Sequence, residues 1–270
     1  MKKLAAPFIY SNTWVALSLS SLLVGICTFY HISHAFKYAL FGFCATVSAY
    51  QLHRLFRLKI MVDEKSTNPR LTWMNQYPTF QWVWFLISLT IATGISFLIK
   101  WNVKALGIVA VNAVIVVLYA FPMKAIGNGI RNTPFLKNVL ISCSWILVLV
   151  LPFVLEQKTI PFSIMVVLGT LVFCYILPFD VRDLPYDEKN MRTLPQLLGS
   201  ERAQKIGILL ITSLLLLTCE WFGFHWLLIV VLGISFIGYY WPISPKTDLI
   251  SEFLWELPLF LMGLYFLSIS

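Results

Sequence analysis

The chain has 270 residues, 59% of them apolar and 12% charged, with 20 Lys and Arg against 12 Asp and Glu and a formal net charge of +8. A soluble domain carries about a quarter of its residues as charges, so this composition excludes an ordinary soluble protein and predicts a polytopic membrane protein. The positive balance does not point to nucleic acid, because the cations are spread over separate connections without a basic, aromatic-interleaved patch.

A spanning helix needs about 20 mostly apolar residues. The amino terminus, Met1-Lys2-Lys3, is basic, and no small-residue cleavage site follows the first apolar segment. That segment therefore reads as a retained span, not a cleaved signal. Spans are predicted at 12–30 and 35–55, followed by a long polar stretch at 56–79. The next two, 80–100 and 104–122, lead into a connection carrying Lys124, Arg131 and Lys137. Spans at 137–155 and 160–179 precede the second long polar stretch, 180–204, and spans at 205–223, 225–242 and 252–269 complete a set of nine. With the amino terminus in the cytoplasm, 16 of the 20 Lys and Arg fall on the cytoplasmic side, as the positive-inside rule requires. The carboxy terminus then lies on the opposite side. No polar region is long enough for a second domain, so residues 1–270 read as one all-α transmembrane domain.

The five cysteines lie inside apolar segments without a CxxC pair and read as small hydrophobes. Trp14, Trp101, Trp221 and Tyr239 to Trp241 sit near span ends, as interfacial anchors do. Asn112, inside the fourth span, reads as a helix–helix hydrogen bond. His31, His34 and His225 fall at the end away from the acidic residues and receive no chemistry.

The most informative stretch follows the sixth span. Asp180, Asp183 and Asp187 recur at i, i+3 and i+7, one stripe if the helix continues through them. Carboxylates at the mouth of a membrane helix are costly and usually functional. Such a stripe offers hard oxygen ligands to Mg²⁺, which in turn holds phosphate oxygens. A solvated, charge-balanced loop would have the same composition. Pro178 and Pro185 can break the helix, in which case Asp187 reaches the site from a loop. In the last span, Glu252 and Glu256 are four apart on one face. Glu252 suits a helix amino terminus; Glu256 is deeper and is the better functional candidate.

The run from Asp180 to Lys189, followed by Arg192-Thr193-Leu194-Pro195 and Leu197-Leu198-Gly199, resembles the second aspartate-rich motif of the UbiA-type intramembrane prenyltransferases. Tyr119-Ala120-Phe121-Pro122-Met123-Lys124 and Pro134 to Asn138 resemble the family's connection between the fourth and fifth helices. The resemblance implies a nine-helix bundle around a central cavity. It implies Mg²⁺-dependent transfer of an isoprenoid from its diphosphate to a lipophilic acceptor, for instance an aromatic quinone precursor. Asp180, Asp183 and Asp187 would hold metal, with Asp183 and Asp187 catalytic. Lys137, Lys189 and Arg192 would hold diphosphate, with Arg54 in support, and Glu256 would face the site. It also implies an integral protein of the bacterial cytoplasmic membrane. The first motif departs from the pattern: after the second span stand Gln51, His53 and Arg54, with no acidic residue until Asp63. His53 and Arg54 either hold diphosphate oxygens directly or pair with the Asp180 stripe. The alternative function is accordingly a non-transferase of the same fold, which binds an isoprenoid or quinone-like lipid or serves as a membrane subunit.

Overall fold

A computed structural model of the chain describes residues 2–60, 69–120, 136–185, 193–241 and 248–270. Among these residues the structure is all helical. In chain order the helices are α1 (Lys2–Tyr10), α2 (Thr13–Phe29), α3 (Ala35–Ile60), α4 (Pro69–Gln76), α5 (Pro78–Ser96), α6 (Val103–Ala120), α7 (Leu136–Leu155), α8 (Phe162–Asp183), α9 (Leu194–Leu198), α10 (Ser200–Phe222), α11 (Trp226–Tyr240) and α12 (Asp248–Ser268). Among the described residues, helices fall within each of the predicted apolar segments. By length and composition five of these helices are able to cross a membrane: α5, α7, α8, α10 and α12. Helices α2, α6 and α11 are apolar but shorter in the described residues, and α3, at 26 residues, is long but less apolar. Large side chains such as Leu86, Val114, Leu209 and Leu216 are exposed on the outside of the bundle, where a bilayer is their natural solvent. The chain is an integral membrane protein.

In lipid, helices gain little from hiding apolar surface from one another, so association depends on close packing and interhelical hydrogen bonds. The first and last long helices show both. Ser18, Ser21 and Gly25 form a small-residue stripe on α2. A Cβ on Gly25 would collide with the Gly263 carbonyl, and one on Gly263 would collide with the Ser21 backbone. The hydroxyls of Ser18 and Ser21 donate to the carbonyls of Glu256 at 3.1 Å and Phe260 at 2.8 Å. Near its other edge α12 is fixed by Trp255, whose indole N–H donates to the Gly238 carbonyl on α11 at 2.8 Å.

The bundle has two unlike ends. One gathers Arg54, Arg70, Lys137 and Arg182 around a cavity. At the other, Lys158 donates to the carbonyls of Tyr30 and His31, and Glu156 accepts the Ser33 N–H at 2.9 Å. Helix α8 runs unbroken through Pro178 and ends at Asp183. Asp180 and Asp183 share that helix. Asp187 itself lies outside the described residues.

Filling the contact between α2 and α12 should destabilise the bundle. Gly263→Leu should lower thermal stability by about 1–3 kcal/mol or more, the usual scale of overpacking. Gly94→Ala, where the new Cβ meets nothing within 4 Å, should be neutral or stabilising. Equal melting temperatures for the two variants in the same detergent would contradict this packing.

Candidate functional site

The mouth cavity has a volume of about 130 Å³ and lies where α2, α3, α4, α7, α8 and α12 converge. Its two halves differ in chemistry. Arg54, Arg70, Lys137, Arg182 and Asp183 surround the mouth, while Val15, Val172, Ile176 and Leu259 belong to its apolar wall. Glu256 also lines it.

The charges are held by a buried network. Arg182 bonds the Asp183 carboxylate through Nε at 2.7 Å and the Glu252 carboxylate through Nη1, with Asp248 at 3.6 Å. Its guanidinium also lies over the rings of Phe179 and Trp255, at 5.3 and 5.9 Å. Glu252 takes a second cation, Arg70, from α4. Tyr10 of α1 donates its hydroxyl to Asp248 at 2.8 Å. The network thus ties α1, α4, α8 and α12 together. Glu252, near the amino terminus of α12, is a buried hub of ion pairs. Arg182, Asp248 and Tyr10 were not singled out from sequence. The only signal for Arg182 was its place between two motif aspartates.

Lys137 donates to Asp180 Oδ1 at 2.6 Å, with the Asp180 side chain fully buried. It is therefore Lys137, not Arg54, that pairs with Asp180. Arg54 donates instead to the Tyr10 carbonyl and to Asn12 Oδ1, and Gln51 donates to the Ser11 carbonyl at 2.8 Å. These acceptors lie at the break between α1 and α2, where Asn12 adopts a left-handed backbone with φ 62°. Asparagine tolerates that conformation better than most residues. Gln51 and Arg54 thus bind carbonyls freed by a helix break.

The structure brings Asp183, Arg54, Lys137 and Glu256 to one cavity. Asp180 and Gln51 are buried outside its wall, and His53 lines a neighbouring cavity. Lys189 and Arg192, like Asp187, lie outside the described residues. Thr193 and Gly199 have local structural roles. The Thr193 N–H donates to the Gln196 side chain at 3.2 Å before α9, and Gly199 takes a positive φ of 85° after it.

Asp180 and Asp183, both on α8, are carboxylates of the kind a divalent cation takes. Asp180 Oδ2 is buried without a hydrogen-bond partner among the described residues, and Asp183 is 24% exposed at the cavity. Both are hard oxygen donors. On α3 no carboxylate stands near Gln51 and Arg54 to hold a second ion. No group of three metal-ligating side chains forms among the described residues.

Breaking one partner of a buried pair leaves the other charge uncompensated, typically at a cost of about 3–5 kcal/mol. Glu252→Ala should therefore destabilise strongly, and so should Arg182→Met. The double variant should lose less than the sum of the singles. Additive losses in denaturation would show that the two groups are not coupled.

No protein-family model matches the sequence, and no curated protein matches it. Solved structures do resemble the bundle. A UbiA homologue from Archaeoglobus fulgidus bound to GPP and Mg²⁺ superposes with a TM-score of 0.59 at 15% identity, covering 97% of this chain and 99% of that one. A UbiA homologue from the same organism bound to DMAPP and Mg²⁺ gives 0.56 at 15% identity, with 97% and 100% covered. A digeranylgeranylglyceryl phosphate synthase gives 0.54 at 16% identity, with 99% and 98% covered. Across nearly its whole length, the chain has the fold of the UbiA-type prenyltransferases.

Proposed function

We propose that the chain transfers an isoprenoid from its diphosphate to a lipophilic acceptor within the membrane. One observation carries this reading: a single cavity is cationic at the mouth and apolar below. A prenyl diphosphate has the same division, with a polyanionic head on a hydrocarbon tail. Arg54, Arg70 and Lys137 would hold the head, supported by Lys189 and Arg192 beyond the described residues. Val15, Val172, Ile176 and Leu259 would receive the tail. Asp180 and Asp183, with Asp187, would hold Mg²⁺, which when bound supplies positive charge to the diphosphate.

In the reaction the C1–O bond of the donor breaks and its electron pair leaves with the diphosphate. Guanidinium and ammonium groups fixed at the mouth stabilise that developing charge. The allylic cation at C1 bonds to a nucleophilic atom of the acceptor, which gives up a proton. Glu256 would take that proton; its Oε2 has no hydrogen-bond partner among the described residues. The surrounding apolar wall would keep water from capturing the cation first.

The second reading, a lipid-binding member of the fold without transferase activity, is favoured by the ion pair between Lys137 and Asp180. That pair neutralises a carboxylate that metal binding needs. Geranyl diphosphate provides the test. On the transferase reading, purified protein should bind it more tightly with Mg²⁺. Replacing Asp183 and Asp187 by asparagine should remove the Mg²⁺ effect while changing stability little. Equal binding by the double variant would reject the metal role, and binding without turnover across a panel of acceptors would favour the second reading.

The nine-span arrangement, with the amino terminus in the cytoplasm, predicts sidedness. Cysteines replacing Lys124 and Lys189 should react only from the cytoplasmic side, and one replacing Lys158 only from the other. Labelling of Lys124 and Lys158 replacements from the same side would overturn the arrangement.

A further inference from the structure

We propose that a second cavity, beside the mouth, holds the acceptor, and that Asn112, held in place by Ser144, donates to an oxygen on its ring. The inference rests on the prenyl-transfer reading and gives its second substrate a place. This cavity, about 120 Å³, is lined by residues of α2, α3, α6 and α7. It shares the side chains of Tyr50, Ile141 and Trp145 with the mouth cavity. A ligand in it would therefore abut the donor site across those three side chains.

The wall is largely hydrocarbon, with Asn112 and Ser144 set into it alongside Thr46, Tyr50 and His53. Ser144 Oγ donates to Asn112 Oδ1 at 2.6 Å, as a helix–helix hydrogen bond should. That bond uses the amide oxygen. The amide nitrogen carries two further donors, and Asn112 makes no other hydrogen bond among the described residues. A donor left against hydrocarbon costs roughly 1–3 kcal/mol. An isoprenoid tail offers no acceptor to relieve it, whereas a phenolic or quinone oxygen does. This argues for a ring-bearing acceptor in the cavity and against the donor's tail. The location also suits entry from the bilayer. Helix α6 contributes Asn112 and Val116 to the wall while exposing Val111, Val114 and Val117 on its outer side. A lipophilic acceptor could then arrive from the lipid without crossing the charged mouth.

A matched pair of probes tests this: 1-naphthol, and 1-methylnaphthalene as the same ring without the oxygen. Binding to the full chain in lipid nanodiscs would be measured with empty discs subtracted. The wild type should prefer 1-naphthol. Asn112→Leu should weaken 1-naphthol about tenfold, the scale of one hydrogen bond, and leave 1-methylnaphthalene and geranyl diphosphate unchanged. Ser144→Ala, a smaller change, should narrow the preference in the same direction if the leucine variant does not fold. Saturating geranyl diphosphate should not displace 1-naphthol. The proposal is overturned if both variants retain the wild-type preference. It is also overturned if geranyl diphosphate competes with 1-naphthol, since the cavity would then belong to the donor's tail. If the wild type prefers 1-naphthol but binds no geranyl diphosphate, the Asn112–Ser144 site stands, while prenyl transfer and the acceptor role fall.

Discussion

Charge taken out of water must find a partner, and the mouth of this bundle is built around that requirement. Arg182, almost wholly buried at the end of α8, lies among Asp183, Asp248 and Glu252. Glu252 in turn holds Arg70, and Asp248 accepts the Tyr10 hydroxyl. Four helices that are distant in sequence are thereby drawn to one place. Such a network is weak evidence for stability, because desolvation offsets much of the Coulomb attraction. Its value is positional: each partner is costly to leave alone, so the helix ends are held in register around the cavity.

The same requirement accounts for the altered first motif. Where the resemblance leads one to expect carboxylates and a metal, α3 presents Gln51 and Arg54, which bind the carbonyls of Ser11 and Tyr10. The break between α1 and α2 and the side chains of α3 are thus complementary. A guanidinium fixed in this way supplies one positive charge with directional donors, where a bound Mg²⁺ would supply two. The mouth accordingly gathers several protein cations around one cavity. Lys137 stands between these modes, since it lines the cavity and also pairs with Asp180.

Close packing completes the arrangement. The small residues Ser18, Ser21 and Gly25 let α2 meet α12 at backbone distance around Gly263. Both helices line the mouth cavity, through Val15 on α2 and Glu256 and Leu259 on α12. In a bilayer this contact draws on dispersion and hydrogen bonding, with little hydrophobic drive between helices. The position of Glu256 at the cavity therefore depends on glycines two turns and more away along the bundle.

The sequence by itself determined the membrane character and the location of the long apolar helices, because apolar runs of that length have few other stable forms. It also marked Asp180 and Asp183, since carboxylates at a helix mouth stand out against an apolar background. Helices α1, α4 and α9 escaped it, being 9, 8 and 5 residues long and too short for a clear periodic signal. Only the tertiary structure decided which charges meet. Lys137 and Asp180 are 43 residues apart, Arg182 and Glu252 are 70, and Tyr10 and Asp248 are 238. No local spacing encodes such pairs; they follow from which helices pack together. The role of Asn112 shows the same division: its residue type foretold a helix–helix hydrogen bond, but Ser144 as the partner and a cavity beside it emerged only from the packing of α6 on α7.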